Sequence, residues 1–492
     1  MYNKTIWKEN IKPLLNNKKI KKQVDVLIIG GGIAGMTALY QLSETKKNIL
    51  LIDKGRIGFG VSANTTGKIT YLQDEIYEQI ENMYHFEIAK KYLYAQLEAI
   101  NFLKNVIKKE QIDCDFQRVD SYVFANKKEE LPKVQYLKNF LTKCQIEVEE
   151  GTKIPLSVPC FQSLKITNSY VFHPVKYIYG LARICLSRGM QINENVRAYD
   201  IDKKENLYFV KTNLGIIQAK QVLVCTHYPF FVKPGWIPFK THLESSYVLA
   251  TKVKKPEKFS AITIAKPISS FRYHSDVNHY LIFASMSDLL TKCKSSTNNF
   301  NQAKYNFSLF CSNNSEYQWE THDVMTNDHL PFIGPVSKQN KNLLIATGFQ
   351  KWGMTNGTLS GMILSDYVLE KNNQYANLFL PYRNFSFKRC MNTVKDGFEV
   401  MKAMFCSFIK KQEKQVRIEY KNGKRIGIYT DKYGKEHCVS TLCPHMKCHL
   451  LFNEIELTWD CPCHGSRFDI DGNLIEGPSV FDIHENSDVK KK

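Results

Sequence analysis

Hydrophobic and polar positions along the chain follow two patterns, one typical of alternating strands and helices and one typical of short strands alone. Residues 24–29 and 48–52 are apolar runs of strand length, and the stretch between them has a helical pattern that ends near Ser43. This order predicts a βαβ unit with two parallel strands. Later alternating patterns predict a mixed, largely antiparallel sheet in the middle third of the chain. Its strands are predicted near residues 119–125, 195–201, 206–225 and 246–285.

The C-terminal region, residues 415–489, contains short runs of strand pattern. Turn-forming pairs separate these runs at Asn422-Gly423 and Asp471-Gly472. Short strands with tight turns between them predict a small all-β domain.

Residues 371–412, between these two regions, form one basic and amphipathic stretch. Phe398, Met401, Phe405 and Phe408 recur there at helical spacing, which predicts a helix with one apolar face. We expect this face to pack between domains. A helix lying on a membrane surface is the less favoured alternative.

Composition restricts the class of protein. Of the 492 residues, 43% are hydrophobic and 23% are charged, which excludes a disordered or collagen-like chain. No apolar run approaches the roughly 18 residues of a membrane-spanning helix, and the N-terminus lacks the apolar core of a signal peptide. We therefore expect a cytoplasmic protein without a transmembrane segment.

The net charge of +19 is unevenly distributed. Residues 1–22 carry seven lysines and one acid, residues 371–436 have a net charge of +9, and residues 437–489 have a net charge of −7. Only 11 of the 67 basic residues are arginine, whereas nucleic-acid sites more often combine arginine with interleaved aromatic residues. Nucleic acid is therefore not an expected partner.

A glycine-rich turn joins the first predicted strand to the first helix. The sequence Gly30-Gly31-Gly32-Ile33-Ala34-Gly35 contains GxGxxG, and Asp53 ends the next strand 18 residues after the last glycine. Gly30 suits the tight turn, Gly32 lets the backbone approach a pyrophosphate, and Gly35 allows close packing of helix and strand. The helix N-terminus supplies N–H donors, and Asp53 is predicted to hold the adenosine ribose. The pattern indicates a dinucleotide site.

Two further segments carry candidate cofactor contacts. Residues 60–70 are small, polar and rich in glycine, as in a solvated loop or in a loop that covers a flavin. A strand at residues 343–346 is followed by Gly348 and by residues 352–357, which open a helix predicted to be capped by Thr355 or Asn356. This second helix N-terminus is suited to stabilise negative charge on a flavin ring. No second GxGxxG occurs, so NAD(P)H is not the expected electron donor.

The 14 cysteines fall into two groups. Nine lie between Cys114 and Cys406, mostly beside apolar residues, and are predicted to be reduced core residues. The other five lie within 26 residues, and such a cluster indicates a metal site. They are Cys438, Cys443, Cys448, Cys461 and Cys463.

Two pairs of residues offer two sulfur and two nitrogen ligands. The first pair is Cys443-x-His445, and the second, after 15 intervening residues, is Cys461-x-x-His464. Such a set suits tetrahedral zinc, or a Rieske [2Fe–2S] cluster with two thiolates on one iron and two imidazoles on the other. Each loop gives one cysteine and one histidine, each carries an extra cysteine, and Gly477-Pro478 follows as a rigid turn. These details favour the iron–sulfur cluster.

These motifs resemble two known families. Residues of about 24–370 resemble the D-amino-acid-oxidase-like FAD-dependent oxidoreductases, the group of glycine oxidase and sarcosine oxidase. Residues of about 415–485 resemble a Rieske domain through Cys-Pro-His, Cys-Pro-Cys-His-Gly-Ser-Arg-Phe-Asp and Gly-Pro. The first match runs through Gly30–Gly35, Asp53, Asn64–Lys68, Thr226-His227-Tyr228-Pro229 and Thr347–Thr355.

The resemblance implies a glutathione-reductase-like, doubly wound α/β FAD-binding domain, an α+β substrate domain with an antiparallel sheet, and a small all-β Rieske domain. The expected bounds are a basic arm at 1–22, the oxidoreductase at 23–370, a basic connector with an amphipathic helix at 371–412 and the Rieske domain at 413–489. Within the oxidoreductase, FAD-binding parts are expected at about 23–80, 160–228 and 325–370, and substrate-domain parts at about 81–159 and 229–324.

By the same resemblance, Cys443, His445, Cys461 and His464 would be the cluster ligands, and Cys448 would form a disulfide with Cys463. The catalytic side chains are not identified by the sequence. The predicted FAD contacts are Gly30, Gly32, Ile33, Ala34, Gly35, Asp53, Lys54, Thr65, Thr66, Lys68, Thr226, Gly348, Trp352, Gly353, Met354 and Thr355.

The leading hypothesis is an FAD-dependent oxidoreductase that oxidises a small organic substrate at a C–N bond, in an amine or an amino acid. It would pass electrons one at a time through the cluster to an external acceptor, such as a soluble redox protein. One alternative is an electron-transfer or redox-sensing protein without its own organic substrate. Another is an interaction protein that holds zinc in place of the cluster.

Overall fold

The computed structural model describes residues 5–14, 18–254, 257–275, 279–292, 296–311, 314–383, 387–409 and 416–484. Among these residues, no helix is both long and apolar enough to cross a membrane. The helices are α1 (Ile33–Leu42), α2 (Ile76–Met83), α3 (Phe86–Lys109), α4 (Leu131–Lys143), α5 (Pro174–Ser187), α6 (Ser296–Ser308), α7 (Gly353–Val368) and α8 (Phe387–Ile409).

The strands form one set before α8 and another set after it. The first set is β1 (Gln23–Ile29), β2 (Ile49–Ile52), β3 (Lys68–Ile69), β4 (Gln117–Ala125), β5 (Glu149–Gly151), β6 (Gln162–Val171), β7 (Gln191–Asn193), β8 (Ala198–Lys204), β9 (Leu207–Thr212), β10 (Gly215–Val224), β11 (Thr241–Lys252), β12 (Phe259–Thr263), β13 (Ser269–Ser275), β14 (His279–Leu289), β15 (Tyr317–Thr326), β16 (Phe332–Ser337) and β17 (Asn340–Thr347). The second set is β18 (Val416–Lys421), β19 (Lys424–Thr430), β20 (Glu436–Ser440), β21 (Leu451–Asn453), β22 (Thr458–Asp460), β23 (Arg467–Asp469) and β24 (Leu474–Glu476).

The first sheet has the order β16-β17-β10-β1-β2-β7, with β9 and β8 attached beyond β10. Its five central strands, β17 to β7 in that order, run parallel, and β1 lies between β10 and β2. Apolar residues on both faces of β1 are buried, as expected for a strand covered on both sides. Helices α1 and α7 approach each other closely because residue 361 is glycine. A Cβ at Gly361 would lie only 2.5 Å from Thr37. The predicted doubly wound FAD-binding fold is confirmed.

The second sheet has the order β15-β11-β14-β13-β12-β4-β6-β3, with β5 paired to β6. All of its pairs are antiparallel except β12 with β4. The predicted antiparallel sheet is confirmed for residues 119–125 and 246–285. Residues 195–201 and 206–225 were wrongly included in it, because they form β8, β9 and β10 of the first sheet, where β10 runs parallel to β1 and β17. Phe271 and Phe283 on neighbouring strands are fully buried and their rings contact, which covers one face of this sheet.

The C-terminal strands form two small antiparallel sheets, β18-β19-β20 and β21-β22-β23-β24. Asn422 and Gly423 both have positive φ and close the β18–β19 hairpin, as the Asn-Gly pair predicts. Trp459 is fully buried and packs edge-on against Phe452 in the core of this domain. The all-β prediction is confirmed.

Two predictions about helices are corrected by the structure. Helix α7 begins at Gly353, so the N-cap is Trp352, and Thr355 and Asn356 lie inside the first turn. The Asn356 amide donates instead to the carbonyl of Phe349 and to a tyrosine hydroxyl. A side chain used in tertiary contacts is not available to cap its own helix.

The second correction concerns α8. It packs on the protein through Ala403 and Ser407, which are fully buried. The four residues that predicted the packing face, Phe398, Met401, Phe405 and Phe408, are exposed. Helical spacing identified an apolar face without revealing which side of the helix the protein covers.

The prediction of core cysteines is also corrected in part. Cys406 on α8 is exposed and Cys160 and Cys311 are half-buried, whereas Cys114, Cys144, Cys185 and Cys225 are buried.

Candidate functional site

The glycine-rich turn after β1 forms one end of a long cavity. Gly30 has φ +107°, and a Cβ there would lie 2.5 Å from the carbonyl oxygen of Cys225 at the end of β10. Only glycine fits this turn. Gly35 lies so close to the turn that its Cβ would meet the Gly30 carbonyl. The predicted reasons for these two glycines, a tight turn and close packing, match the observed contacts.

Asp53 and Ser62 fix the backbone around this turn. One carboxylate oxygen of Asp53 accepts a hydrogen bond from the Gly31 N–H at 2.7 Å, and the other accepts from the Gly55 N–H at 2.8 Å. Burial raises the pKa of Asp53, while these backbone donors oppose the rise. The Ser62 hydroxyl accepts from the Ile33 N–H at 3.1 Å. These contacts order the backbone at the start of α1, where Gly32, Ile33 and Ala34 line the cavity.

The cavity brings together 14 of the 16 predicted FAD contacts. Gly35 and Gly348 do not line it. Gly35 packs against the glycine turn. Gly348 has φ +76°, and a Cβ added to it would lie 2.3 Å from Thr326. The others line one continuous surface from the Gly30 turn to the α7 N-terminus. This cavity, which is lined by the N-termini of α1 and α7, fits a dinucleotide such as FAD. The contacts themselves remain predictions.

The cavity continues beyond the α7 N-terminus to a polar end against the second sheet. Lys68 is buried and donates to the Ser270 hydroxyl at 2.6 Å, with its Nζ 5.9 Å from the Trp352 ring centroid. Burial lowers the pKa of Lys68 to about 7. Asp74 and Asp323 also line this end.

Both carboxyl groups at the polar end are withdrawn from bulk water but open to the cavity. Burial raises the pKa of Asp74 to about 6 and also raises that of Asp323, while Lys351 lowers both. The ammonium of Lys351 is itself paired with Glu244 at 2.7 Å. Two carboxyl groups that face the cavity can hold a cationic ligand group.

The four predicted cluster ligands lie together in the C-terminal domain. Cys443 and Cys461 are buried free thiols whose mutual contact lowers the pKa of Cys443 and raises that of Cys461. The rings of His445 and His464 lie 5.0 Å apart. Within the described part of the chain, neither ring nitrogen of His445 and not the Nδ1 of His464 has a hydrogen-bond partner.

Buried nitrogens without partners require an explanation, and a bound metal is one of the common ones. Two thiols and two imidazoles, each with at least one buried nitrogen that lacks a hydrogen-bond partner, match the donor set of a Rieske cluster, so these residues fit the group. Cys448 and Cys463 form a disulfide between the two ligand loops. The sulfur of Cys461 lies within 4.8 Å of both of these sulfurs, but bonded cysteines are not ligands.

The C-terminal domain also closes the FAD cavity. Arg467, Glu476 and Gly477 line the cavity opposite residues of the first domain. The His464 ring lies 6.3 Å from the ring of Tyr228, which follows β10 and lines the same cavity. A Cβ at Gly465 would lie 2.6 Å from Leu243, so the backbone of the second ligand loop touches β11 directly. The predicted cluster site and the predicted flavin site are neighbours.

Several cavity residues were not predicted from the sequence. Lys8 of the N-terminal arm lines the cavity, because Trp7 is fully buried and donates to the Thr65 carbonyl at 2.7 Å. A tryptophan within a basic arm was the available signal for this packing. Asp74, Asp323 and Arg467 had no local signal, since only the folded sheets bring them to the cavity.

The fold and the two sites define a flavin-dependent oxidoreductase joined to a Rieske iron–sulfur domain. The model of the FAD dependent oxidoreductase family matches residues 25–367, and that of the Rieske [2Fe-2S] domain matches residues 401–485. The chain belongs to the FAD dependent oxidoreductase family and carries a C-terminal Rieske domain. Its cofactors are accordingly FAD and a [2Fe–2S] cluster.

Similar proteins agree with this assignment. The chain is 31% identical over 474 residues to the Rieske 2Fe-2S iron-sulfur protein YhfW of Bacillus subtilis, covering 93% of this chain and 92% of that protein. It is 24% identical to the gamma-glutamylputrescine oxidoreductase of Escherichia coli, over 41% of this chain and 48% of that protein. The glycine oxidase of Geobacillus kaustophilus has a similar fold, with a TM-score of 0.61 at 16% identity, over 74% of this chain and 100% of that chain.

Proposed function

We propose that this oxidoreductase oxidises a small amine at a C–N bond and passes the electrons one at a time to an external acceptor. When bound, FAD supplies an acceptor for a hydride from the substrate, and the [2Fe–2S] cluster supplies a carrier of single electrons. The observation that carries the proposal is the polar end of the cavity, where Asp74 and Asp323 lie near Lys351 and Asp74 also lies near the predicted flavin contact Lys68.

The charges at this end favour an amine over an α-amino acid. An amino-acid substrate requires a cation for its carboxylate as well as a site for its amine. Among the described residues that line the cavity, the two arginines are both engaged by acids. Arg197 pairs with Asp482 at 2.9 Å, and Arg467 pairs with Asp460 at 3.2 Å. At the polar end, Lys351 is paired with Glu244, and burial favours the neutral form of Lys68. The name of the Escherichia coli relative also refers to an amine, putrescine.

Lys68 is suited to receive a proton from the substrate. An amine must lose its ammonium proton before its C–N bond is oxidised, because the nitrogen lone pair assists departure of the hydride. The lowered pKa of Lys68 makes its neutral Nζ available at and above about pH 7, and Ser270 holds that atom in place. The proton would move from the substrate ammonium to the Lys68 Nζ.

The contact between His464 and Tyr228 supports electron passage between the two proposed sites. The ring of a predicted cluster ligand lies against a residue of the flavin cavity, so the two cofactors would be held near each other within one chain. This arrangement supports an oxidase-like half-reaction coupled to a one-electron carrier.

The test is an anaerobic titration of the holoprotein with a panel of monoamines, diamines and α-amino acids, following the flavin and cluster absorbance together. An amine is expected to bleach the flavin, and reduction of the cluster is expected to follow. Bleaching by α-amino acids alone would contradict the amine assignment. If no organic compound bleaches the flavin but a reduced redox protein does, the chain is an electron-transfer protein without its own substrate.

Variants at the polar end sharpen this test. Asp323→Asn is expected to weaken amine binding about 10- to 100-fold, because a charge-assisted contact is lost. Asp113→Asn, an exposed acid outside the cavity, is the matched control and should bind the amine normally. In the Lys68→Met variant, the rise of kcat/KM with pH through about 7 should disappear. A retained rise would assign proton transfer to another group.

A further inference from the structure

Helix α8 presents a continuous row of large apolar side chains to solvent. Six of them are between 55% and 74% exposed, far more than apolar side chains on a helix that is packed into a core. We name this row the α8 face. It consists of Met391, Val394, Phe398, Met401, Phe405 and Phe408.

The orientation of α8 is the reverse of that expected for a surface helix. A helix on a globular protein normally buries its apolar stripe and exposes its polar side. Here the side against the protein carries Ala403 and Ser407, and the Asn392 amide donates from that side to the Asn327 carbonyl at 3.0 Å. The protein therefore anchors α8 by its small and polar side, and the bulky side is largely exposed to solvent.

The α8 face has lysines along one edge and further side chains of the C-terminal domain at one end. Lys395 and Lys402 lie along one edge of it and are exposed. At its C-terminal end, the Phe408 ring lies 5.3 Å from the ring of His449. His449 forms a β-bridge with Leu442, which is itself exposed and precedes the predicted ligand Cys443. The apolar surface thus continues from the helix to the first cluster loop.

The charge pattern distinguishes two occupants of this face. Its spacing of alternating three and four residues also suits a coiled coil with a second copy. In such a pair the flanking positions should carry opposite charges, but here one flank has Lys395 and Lys402 and the other has Gly397 and Met404. Two copies would gain no ion pair and, in an antiparallel pair, would oppose lysine to lysine.

An anionic lipid surface fits all of these features. A helix that lies in a membrane interface buries a broad apolar face with aromatic residues and places lysines along its edges, where they meet anionic headgroups. We propose that the α8 face docks the protein on the surface of an anionic lipid bilayer. Docking in this orientation brings the first cluster loop, through Leu442, to the bilayer surface. The proposal does not depend on the substrate of the enzyme.

The experiment is flotation of the full-length holoprotein with vesicles of phosphatidylglycerol and phosphatidylcholine, compared with vesicles of phosphatidylcholine alone. Binding is expected to the anionic vesicles and to weaken as salt is raised. Hydrogen exchange in residues 391–408 should slow when the anionic vesicles are added. Equal exchange with and without vesicles would overturn the assignment of this helix as the contact.

Variants separate the apolar and ionic contributions. The double variant Phe398→Ser/Phe405→Ser is expected to lower vesicle affinity at least about tenfold, since each buried phenylalanine contributes strongly. The pair Lys395→Gln/Lys402→Gln should lower it about fivefold per lysine on anionic vesicles. Tyr433→Ser, which removes an aromatic side chain that is 82% exposed outside the α8 face, is the matched control and should bind as the unaltered protein does.

Flavin and cluster absorbance verify that each variant is folded and loaded before it is compared. Unaltered affinity of the double phenylalanine variant would overturn the proposal. The proposal would also be overturned if the unaltered protein bound neither kind of vesicle and sedimented as a dimer, while the double phenylalanine variant sedimented as a monomer. That result would assign the face to a second copy of the chain.

Discussion

The interface between the two domains and the outer face of α8 reverse the usual distribution of charge and apolar surface. At the interface, the buried guanidinium of Arg467 lies 3.7 Å from Glu320 of the flavoprotein domain and 3.5 Å from Glu456 of its own domain. On the α8 face, phenylalanine and methionine side chains are exposed to solvent. One surface buries charge, and the other exposes apolar area.

The buried charges compensate one another closely. The Glu320 N–H donates to Glu456 at 3.1 Å, and the Asn453 amide donates to Glu320 at 3.1 Å. Burial alone would raise the pKa of Glu320, but the hydrogen bond from His322 and the charge of Arg467 lower it to about 2. A buried ion pair adds little net stability but penalises every other arrangement. We therefore expect this network to favour the observed placement of the Rieske domain on the flavin cavity, whereas the α8 face is left exposed to solvent.

Removing Arg467 is expected to give the largest effect. Arg467→Ala leaves the buried carboxylates of Glu320 and Glu456 without their cation, so the free energy of unfolding should fall by about 3–5 kcal/mol. Arg417→Ala is the matched control, because Arg417 pairs with Glu419 on the exposed surface, where solvent screens the pair, and its removal should lower the free energy of unfolding far less. Urea unfolding measures both. Equal losses of unfolding free energy in the two variants would show that the buried ion pairs of the interface contribute no more to stability than a surface ion pair.

Gly465 tests the close contact beside this network. An added Cβ would lie 2.6 Å from Leu243, and the residue has φ +68°. Gly423 has φ +73° with nothing within 4 Å of an added Cβ. Both alanine variants carry the backbone cost of about 1 kcal/mol, and Gly465→Ala should lose about 1–3 kcal/mol more through the clash. If the two unfolding curves shift equally, the domains do not touch here in solution.

Glu456 predicts the pH dependence of the interface. Burial raises its pKa from 4.5 to about 7, so the folded state binds more protons than the unfolded state between these values. The contribution of Glu456 to stability therefore falls as pH rises from about 5 to 7, by at most about 1.4 kcal/mol per pH unit. Glu456→Gln should remove this slope in unfolding measured across that range. If the dependence of unfolding free energy on pH is unchanged in the variant, another titrating group is responsible for that dependence.

The smallest effect is expected on the α8 face. Phe398→Ser or Phe405→Ser should change the free energy of unfolding by less than about 0.5 kcal/mol, because exposed side chains contribute little to folding. Phe452→Ser removes the same side chain from a buried position and should cost about 3–5 kcal/mol. A large loss on the α8 face would mean that the protein itself covers it.

Local spacing made much of the candidate site predictable. The GxGxxG turn, Asp53 and the Cys-x-His and Cys-x-x-His pairs are short patterns, and the structure places each set together. Beyond Lys68, the polar end of the cavity was not predictable, because Asp323 on β15 lies far along the chain from Lys68 and Asp74 and joins them only when the second sheet forms. The roles of these residues, the domain bounds and the cytoplasmic location remain predictions.

The sequence by itself determined the order of the domains, the families and the helical period of residues 391–408. Only the tertiary structure decided which side of α8 the protein covers and which acids surround Arg467. Periodicity defines an apolar face because it depends on neighbours three or four residues away. Burial depends on surfaces supplied by distant segments. For α8 those segments supply Asn327 and the Rieske core, which accept its small and polar side and turn the phenylalanines outward.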